Sequence, residues 1–224
     1  MTARLPRPRA ILFDWDNTLV DTWPCIFEVL NTTYRGMGHE PWSEDRFRAE
    51  LGPSLRDLFP HIFGDRWEEA RDLFYATFAA IHLERLVTVP GAGELLAGLH
   101  AAGLYLGIVS NKTGVHLRRE VEHLGWSGYF SSIVGAHDAE RDKPAAEPVH
   151  LALAGSGISA GESVWFVGDS HTDMLCACNA GCSPVLLRQE PPGEGEFQDC
   201  RPRYHVTDCQ GFAHLVRERS ASGE

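Results

Sequence analysis

No stretch of these 224 residues is apolar for long enough to cross a bilayer as a helix; runs such as Ala10–Phe13 and Val164–Val167 fall far short of the roughly 18 residues a span needs. Positive charge is also scarce. Lys and Arg total 20 against 31 Asp and Glu, a formal net charge of −11, which argues against a nucleic-acid phosphate backbone as partner. The basic opening, Met1 to Arg9, is followed by an apolar segment that stops at Asp14, too short for the core of a secretory signal, so a cytoplasmic protein is expected. Cysteine is sparse: six in 224 residues, too few for a disulfide framework, so reduced thiols are expected throughout. Cys176, Cys178 and Cys182 lack the paired C-x2-C spacing of structural zinc sites, and Cys176 and Cys178 point to different sides of a helix. Small core or interface residues are the expectation there. Internal repeats and low-complexity blocks are missing too, and 43% apolar with 23% charged residues is an ordinary globular composition for one or two domains.

What is present is an alternation. Ala10–Phe13, Leu104–Val109, Ser163–Val167 and Val185–Leu187 read as short strands, with Ile133-Val134 a weaker fifth. Unbroken apolar runs of this kind suit parallel strands buried on both faces. Helical patterns lie between them, at Glu94–Ala101, Val115–Leu124, Pro148–Ala154 and Asp173–Ala180. The expected fold class is therefore α/β, a doubly wound parallel sheet whose ligand site lies at the carboxyl ends of the strands.

From Val20 to Val89 the alternation stops. Helical patterns at Cys25–Tyr34, Glu44–Glu50 and Trp67–Leu83 occupy this stretch, with no convincing strand, and the sheet resumes after Val89-Pro90-Gly91. Seventy residues are too many for a βα loop. Residues 1–19 and 90–224 are expected to form the α/β core and residues 20–89 a small all-helical domain inserted after the first strand, covering the strand ends.

Polar chemistry gathers where the strands stop. Asp14 and Asp16, two residues apart at the end of an extended strand, leave it on the same side and can meet one ligand. Ser110 ends the second strand, Lys143 stands in Arg141-Asp142-Lys143-Pro144, and Gly168-Asp169-Ser170-His171-Thr172-Asp173 adds two more carboxylates. An anion site beside a site for a hard cation results, and oxygen ligands from several carboxylates suit Mg²⁺, which also binds substrate phosphate.

The order D-x-D-x-T, Ser, Lys, G-D-x-x-x-D at successive strand ends resembles the haloacid dehalogenase superfamily, over nearly the whole chain, and the insert resembles the C1-type helical cap of its phosphoglycolate phosphatase and β-phosphoglucomutase branch. Asn17 stands where that pattern has Gly; Asn tolerates positive φ, so the turn is expected to survive. The resemblance implies that Asp14 is the nucleophile, Asp16 the general acid and base, and Ser110 and Lys143 the phosphoryl-binding catalytic groups. It implies Mg²⁺ held by Asp14, the main-chain carbonyl of Asp16, Asp169 and Asp173. On the substrate side it places Thr18, bracing the turn, the amide of Asn111, and Arg56 in Leu51-Gly52-Pro53-Ser54-Leu55-Arg56, which resembles a cap segment that reaches the substrate. The implied activity is hydrolysis of a small phosphorylated metabolite, phosphoglycolate first among named candidates.

Lys112 is a candidate for pairing with the acidic site, His171 reads as a loop histidine, and Trp15 and Trp23 read as packing residues. A phosphomutase shares the aspartyl-phosphate and differs in the acceptor. A phosphoacceptor signalling domain shares the nucleophile, Lys and Mg²⁺, but lacks both the base at the second position and a seventy-residue insert.

Overall fold

The computed structural model describes residues 5–50 and 55–221, with side chains over the same span except 48–58. It divides into two compact units, residues 22–86 and residues 1–21 together with 87–224. No helix among the described residues is long and apolar enough to cross a membrane.

Within 22–86 the described residues form α-helices α1 (Trp23–Gly36), α2 (Glu44–Glu50), α3 (Leu55–Phe63) and α4 (Trp67–Ile81). Ala70, Phe74 and Phe78 recur every fourth residue on α4 and face inward with Cys25, Val29, Leu30 and Tyr34 of α1. Four-residue spacing keeps side chains on one helix face, which is what lets two such stripes close over each other. The α1–α2 connection is pinned by one buried amide: Asn31 Nδ2 donates to the Trp42 carbonyl at 3.0 Å and Asn31 Oδ1 accepts from the Trp42 N–H at 2.7 Å. Trp23 departs from the expected buried packing. It is 48% exposed, because it opens α1 ahead of the buried stripe that begins at Cys25, and meets Phe47 edge-on.

The second unit opens with β1 (Ala10–Phe13) and β2 (Val20–Asp21) and resumes with β3 (Val87–Thr88); β2 and β3 pair antiparallel, Val20 opposite Thr88. This two-residue ladder was not anticipated, since it is too short to show alternation. There follow α5 (Ala92–Ala101), β4 (Tyr105–Thr113), α6 (Gly114–His123), β5 (Ser132–Ala136), α7 (Glu147–Leu153), β6 (Val164–Gly168), α8 (His171–Asn179), β7 (Ser183–Leu187), β8 (Tyr204–Val206) and α9 (Cys209–Ala221). Six strands form one parallel sheet in the order β5-β4-β1-β6-β7-β8.

Alternation on β1 explains the helices on both faces. Ala10 and Leu12 join a cluster with Val149, Ala152 and Leu153 of α7 and Cys176 and Ala177 of α8, while Phe13 meets Phe212 of α9 edge-on at 5.8 Å on the other side. The chain builds from β1 outward to β4 and β5, then returns past β1 to add β6, β7 and β8. In sheets of this topology, ligands bind at such a reversal, at the strand carboxyl ends.

One cysteine expectation is corrected. Cys178 on α8 is disulfide-bonded to Cys200 in the β7–β8 connection, across a sequence separation of 22. That connection folds back over α8, so the juxtaposition is tertiary and invisible in spacing. Cys25, Cys176, Cys182 and Cys209 are buried and lie outside this disulfide, and burial pushes the Cys176 thiol up to about 12.

Candidate active site

Three neighbouring strands end in functional side chains. Asp14 follows β1 directly and its N–H donates to the Val167 carbonyl of β6 at 2.8 Å, so the ladder carries on to Asp14. The chain then turns. Asn17 takes φ of 58° and its N–H donates to the Val20 carbonyl at 2.6 Å, and Leu19 and Val20 both donate to the Trp15 carbonyl. Asn is among the few residues that occupy this left-handed region at low cost, so the replacement of Gly leaves the turn intact.

Lys143 reaches the same point from the β5–α7 connection. Its Nζ lies 2.6 Å from Asp14 Oδ1 and 2.7 Å from Asp173 Oδ1, with side-chain exposures of 4%, 9% and 1% for the three residues. Asn111 holds the lysine's own peptide at both ends: its Oδ1 accepts from the Lys143 N–H and its Nδ2 donates to the Lys143 carbonyl, each at 3.0 Å. Asp173 is also bound by its helix. Its carboxylate accepts from the Ser170 N–H at 3.0 Å and the Ser170 hydroxyl at 2.6 Å, a capping box at the start of α8. Gly168 is required for this approach, since a methyl group there would overlap the Asp173 side chain.

Asp14, Asp169 and Asp173 each offer an oxygen within 4.8 Å of the others. Fully ionised, three carboxylates against the Lys143 ammonium would leave two negative charges with little water around them. Burial, then the Asp173 and Asp169 charges, push the Asp14 carboxyl well above its ordinary value despite Lys143. Burial, reinforced by Asp173, pushes Asp169 up to about 7. Burial opposes the Lys143 ammonium, but Asp14 and Asp173 together raise its pKa, so it stays charged. A hard divalent cation matches both the donor set and the missing charge.

Asp16 turns the other way. Its Oδ1 is 2.7 Å from Lys112 Nζ, and that ammonium is 2.6 Å from Glu120 Oε2 on α6, so Lys112 does pair with the acidic site. Trp15 is buried, packs edge-on against Trp126, and donates its indole N–H to the same Glu120 oxygen at 2.7 Å. Ser110 is buried and accepts from the Lys112 N–H at 3.1 Å, within a register irregularity of β4 between Val109 and Thr113. Thr18 is buried, its hydroxyl without a partner among the described residues. Arg56 lies on α3, but its side chain falls outside the described residues. His171 is placed against Phe197 and, at 3.9 Å, Asp199.

Two groups at this site escaped the sequence reading. Glu120 carried a signal, a charge beside the buried Leu117 and Val121 on the inward face of α6. Arg188 carried none: it follows β7, donates to the Asp169 carbonyl at 3.1 Å and is held by Glu196 at 2.6 and 2.7 Å.

A family model described as haloacid dehalogenase-like hydrolase matches residues 11–187, from β1 to the end of β7. The chain belongs to that family. A phosphoglycolate phosphatase from Yersinia pestis is 31% identical to this hydrolase over 202 residues, covering 80% of each chain. Pyrophosphatase PpaX from Bacillus velezensis is 27% identical over 210 residues, 94% of this chain and 97% of that one. A crystal structure of a HAD-superfamily hydrolase from Ehrlichia chaffeensis superposes with a TM-score of 0.66 at 28% identity, covering 96% of this chain and 98% of that one.

Proposed function

We propose that this hydrolase is a Mg²⁺-dependent phosphatase that cleaves a small phosphomonoester through an aspartyl-phosphate on Asp14. The observation that supports the reading most is the Lys143 ammonium seated between Asp14 and Asp173, with Asp169 close enough for the three carboxylates to share one cation. Asp14, Asp169 and the Asp16 main-chain carbonyl would hold Mg²⁺, with Asp173 as a further ligand or as the anchor of Lys143. When bound, the ion offsets the charge of nucleophile and phosphate. Asp14 attacks phosphorus and the bond to the leaving oxygen breaks, with Asp16 delivering a proton to that oxygen. Water then attacks the aspartyl-phosphate, Asp16 takes its proton, and inorganic phosphate leaves with Asp14 restored. The Ser110 hydroxyl, the Asn111 amide and Lys143 bind the phosphoryl oxygens throughout.

A core that grips only the phosphoryl group cannot tell one ester from another, so discrimination falls to residues 22–86, acting as a cap with Arg56 as a contact for a second anion. Phosphoglycolate heads the substrate candidates, through the likeness to the Yersinia pestis enzyme. Inorganic pyrophosphate is the second reading, favoured by the likeness to PpaX over nearly the whole chain. A panel of phosphorylated metabolites with pyrophosphate, assayed with Mg²⁺ and with EDTA, tests both. Turnover should vanish with EDTA, return with Mg²⁺ and be lost in Asp14→Asn; undiminished hydrolysis in metal-free buffer would sink the proposal. If Arg56 contacts the carboxylate of phosphoglycolate, Arg56→Ala removes a charge-assisted bond of about 1.5–3 kcal/mol, roughly 10- to 150-fold in kcat/KM, and spares p-nitrophenyl phosphate.

A further inference from the structure

The D-x-D pair sends its two carboxylates to two different lysines. Asp14 meets Lys143; Asp16, 31% exposed, meets Lys112. The Lys112 side chain is only 8% exposed and its ammonium bridges Asp16 to Glu120, which is 1% exposed. Such a buried carboxylate on a helix needs a reason, because leaving it unpaired is costly. Here it has two donors on one oxygen, the Lys112 ammonium at 2.6 Å and the Trp15 indole N–H at 2.7 Å. Trp15 and Asp16 are adjacent and project to different places, yet both are tied to Glu120, one directly and the other through Lys112. Three segments, the β1 turn, the end of β4 and α6, thereby fix the orientation of one partly exposed carboxylate.

We infer that Lys112 is a positioning residue for the proton-transfer step, holding the Asp16 carboxylate apart from the Asp14, Asp169 and Asp173 cluster, with Glu120 and the Trp15 indole as its footing. This rests on the proposed role of Asp16 as acid. A cation two residues from the phosphoryl-binding Ser110 could instead bind substrate, but its two carboxylate partners already occupy it. Without Lys112 the Asp16 side chain has no oppositely charged partner among the described residues to direct it, and a displacement of about 1 Å in a reacting group costs on the order of 100-fold.

The test compares kcat/KM for an alkyl phosphate and for p-nitrophenyl phosphate at saturating Mg²⁺. This parameter stops at departure of the leaving group and so excludes hydrolysis of the phosphoenzyme. Alkoxide departure needs the proton and nitrophenolate departure largely does not. Lys112→Met should lower the alkyl value about 10- to 100-fold and the aryl value less than about threefold, and Lys112→Arg should recover most of the alkyl loss. Combined with Asp16→Ala, Lys112→Met should add nothing to the single Asp16→Ala loss, whereas a residue that acts only through folding would add its own. Equal losses on both substrates, or additive losses in the double variant, overturn the inference. If Asp16→Ala itself fails to discriminate alkyl from aryl esters, the proposed role of Asp16 falls first. If Lys112→Met does not fold, Glu120→Gln serves. It keeps an acceptor for the Trp15 indole and the lysine while removing the charge, and should show a weaker loss of the same selectivity; no selectivity there overturns the inference.

Discussion

Replacing Lys143 by Met isolates what one ammonium contributes to a site crowded with carboxylates. The side chain keeps most of its length and loses two charge-assisted hydrogen bonds, at 2.6 Å to Asp14 and 2.7 Å to Asp173. Both acceptors stay in place at exposures of 9% and 1%, too dry for water to substitute. Removing one partner of a buried pair costs about 3–5 kcal/mol, most of it the penalty of the stranded charge. Asp173 is the better protected of the two, since Ser170 still donates to it from its N–H and its hydroxyl. The penalty therefore falls chiefly on Asp14, whose carboxyl is already raised by burial and by the Asp173, Asp169 and Asp16 charges. Losing Lys143 raises it further. A carboxyl raised in the folded state is stabilised by taking up a proton, and that contribution is lost as pH climbs through the folded pKa. The variant should thus be less stable than the parent by about 3–5 kcal/mol at pH 8 and by clearly less at pH 5, both in EDTA. Amide exchange on β1 and β6 reads this without interference from residues 22–86. A difference below about 1 kcal/mol at pH 8, or one that does not change with pH, would refute the reasoning.

Other consequences follow from the same geometry. With Asp169 raised to about 7, the metal-free protein should lose stability as pH rises from about 4 to about 7, by at most roughly 4 kcal/mol from this group. The gap in Tm between Mg²⁺ and EDTA should accordingly be narrow at pH 5 and wide above pH 7, and an equal gap at both would speak against it. Gly168→Ala drives a methyl group into the Asp173 side chain, so it should cost about 1–3 kcal/mol and weaken Mg²⁺ binding in calorimetry; unchanged affinity and stability would show that the strand end yields freely. Asn111→Asp keeps an acceptor for the Lys143 N–H but cannot donate to its carbonyl. Turnover should fall in it nearly as far as in Asn111→Ala, and parent-like activity in the aspartate variant would show that the second bond does not matter.

How much of this was legible in the residues themselves varies with how local the physics is. Short apolar runs ending in Asp14, Ser110 and Asp169 announce buried parallel strands with chemistry at their carboxyl ends, because period and polarity are properties of a few consecutive residues. Asn17 at φ of 58° belongs to the same class, its backbone preference being intrinsic to the residue. Two-residue strands β2 and β3 and three-residue β8 are too short to carry a period, and their existence depends on a partner distant in the chain. Tertiary structure alone decided which carboxylate goes to which cation. Asp14 and Asp16 are indistinguishable by type and two residues apart, yet Lys143, 129 residues from Asp14, takes one, and the Lys112–Glu120 pair takes the other. The same holds for Cys178 with Cys200 and for Arg188 on the Asp169 carbonyl. In each case the pairing energy is set by distance and by exclusion of water, and neither quantity exists until the sheet has brought the strand ends together.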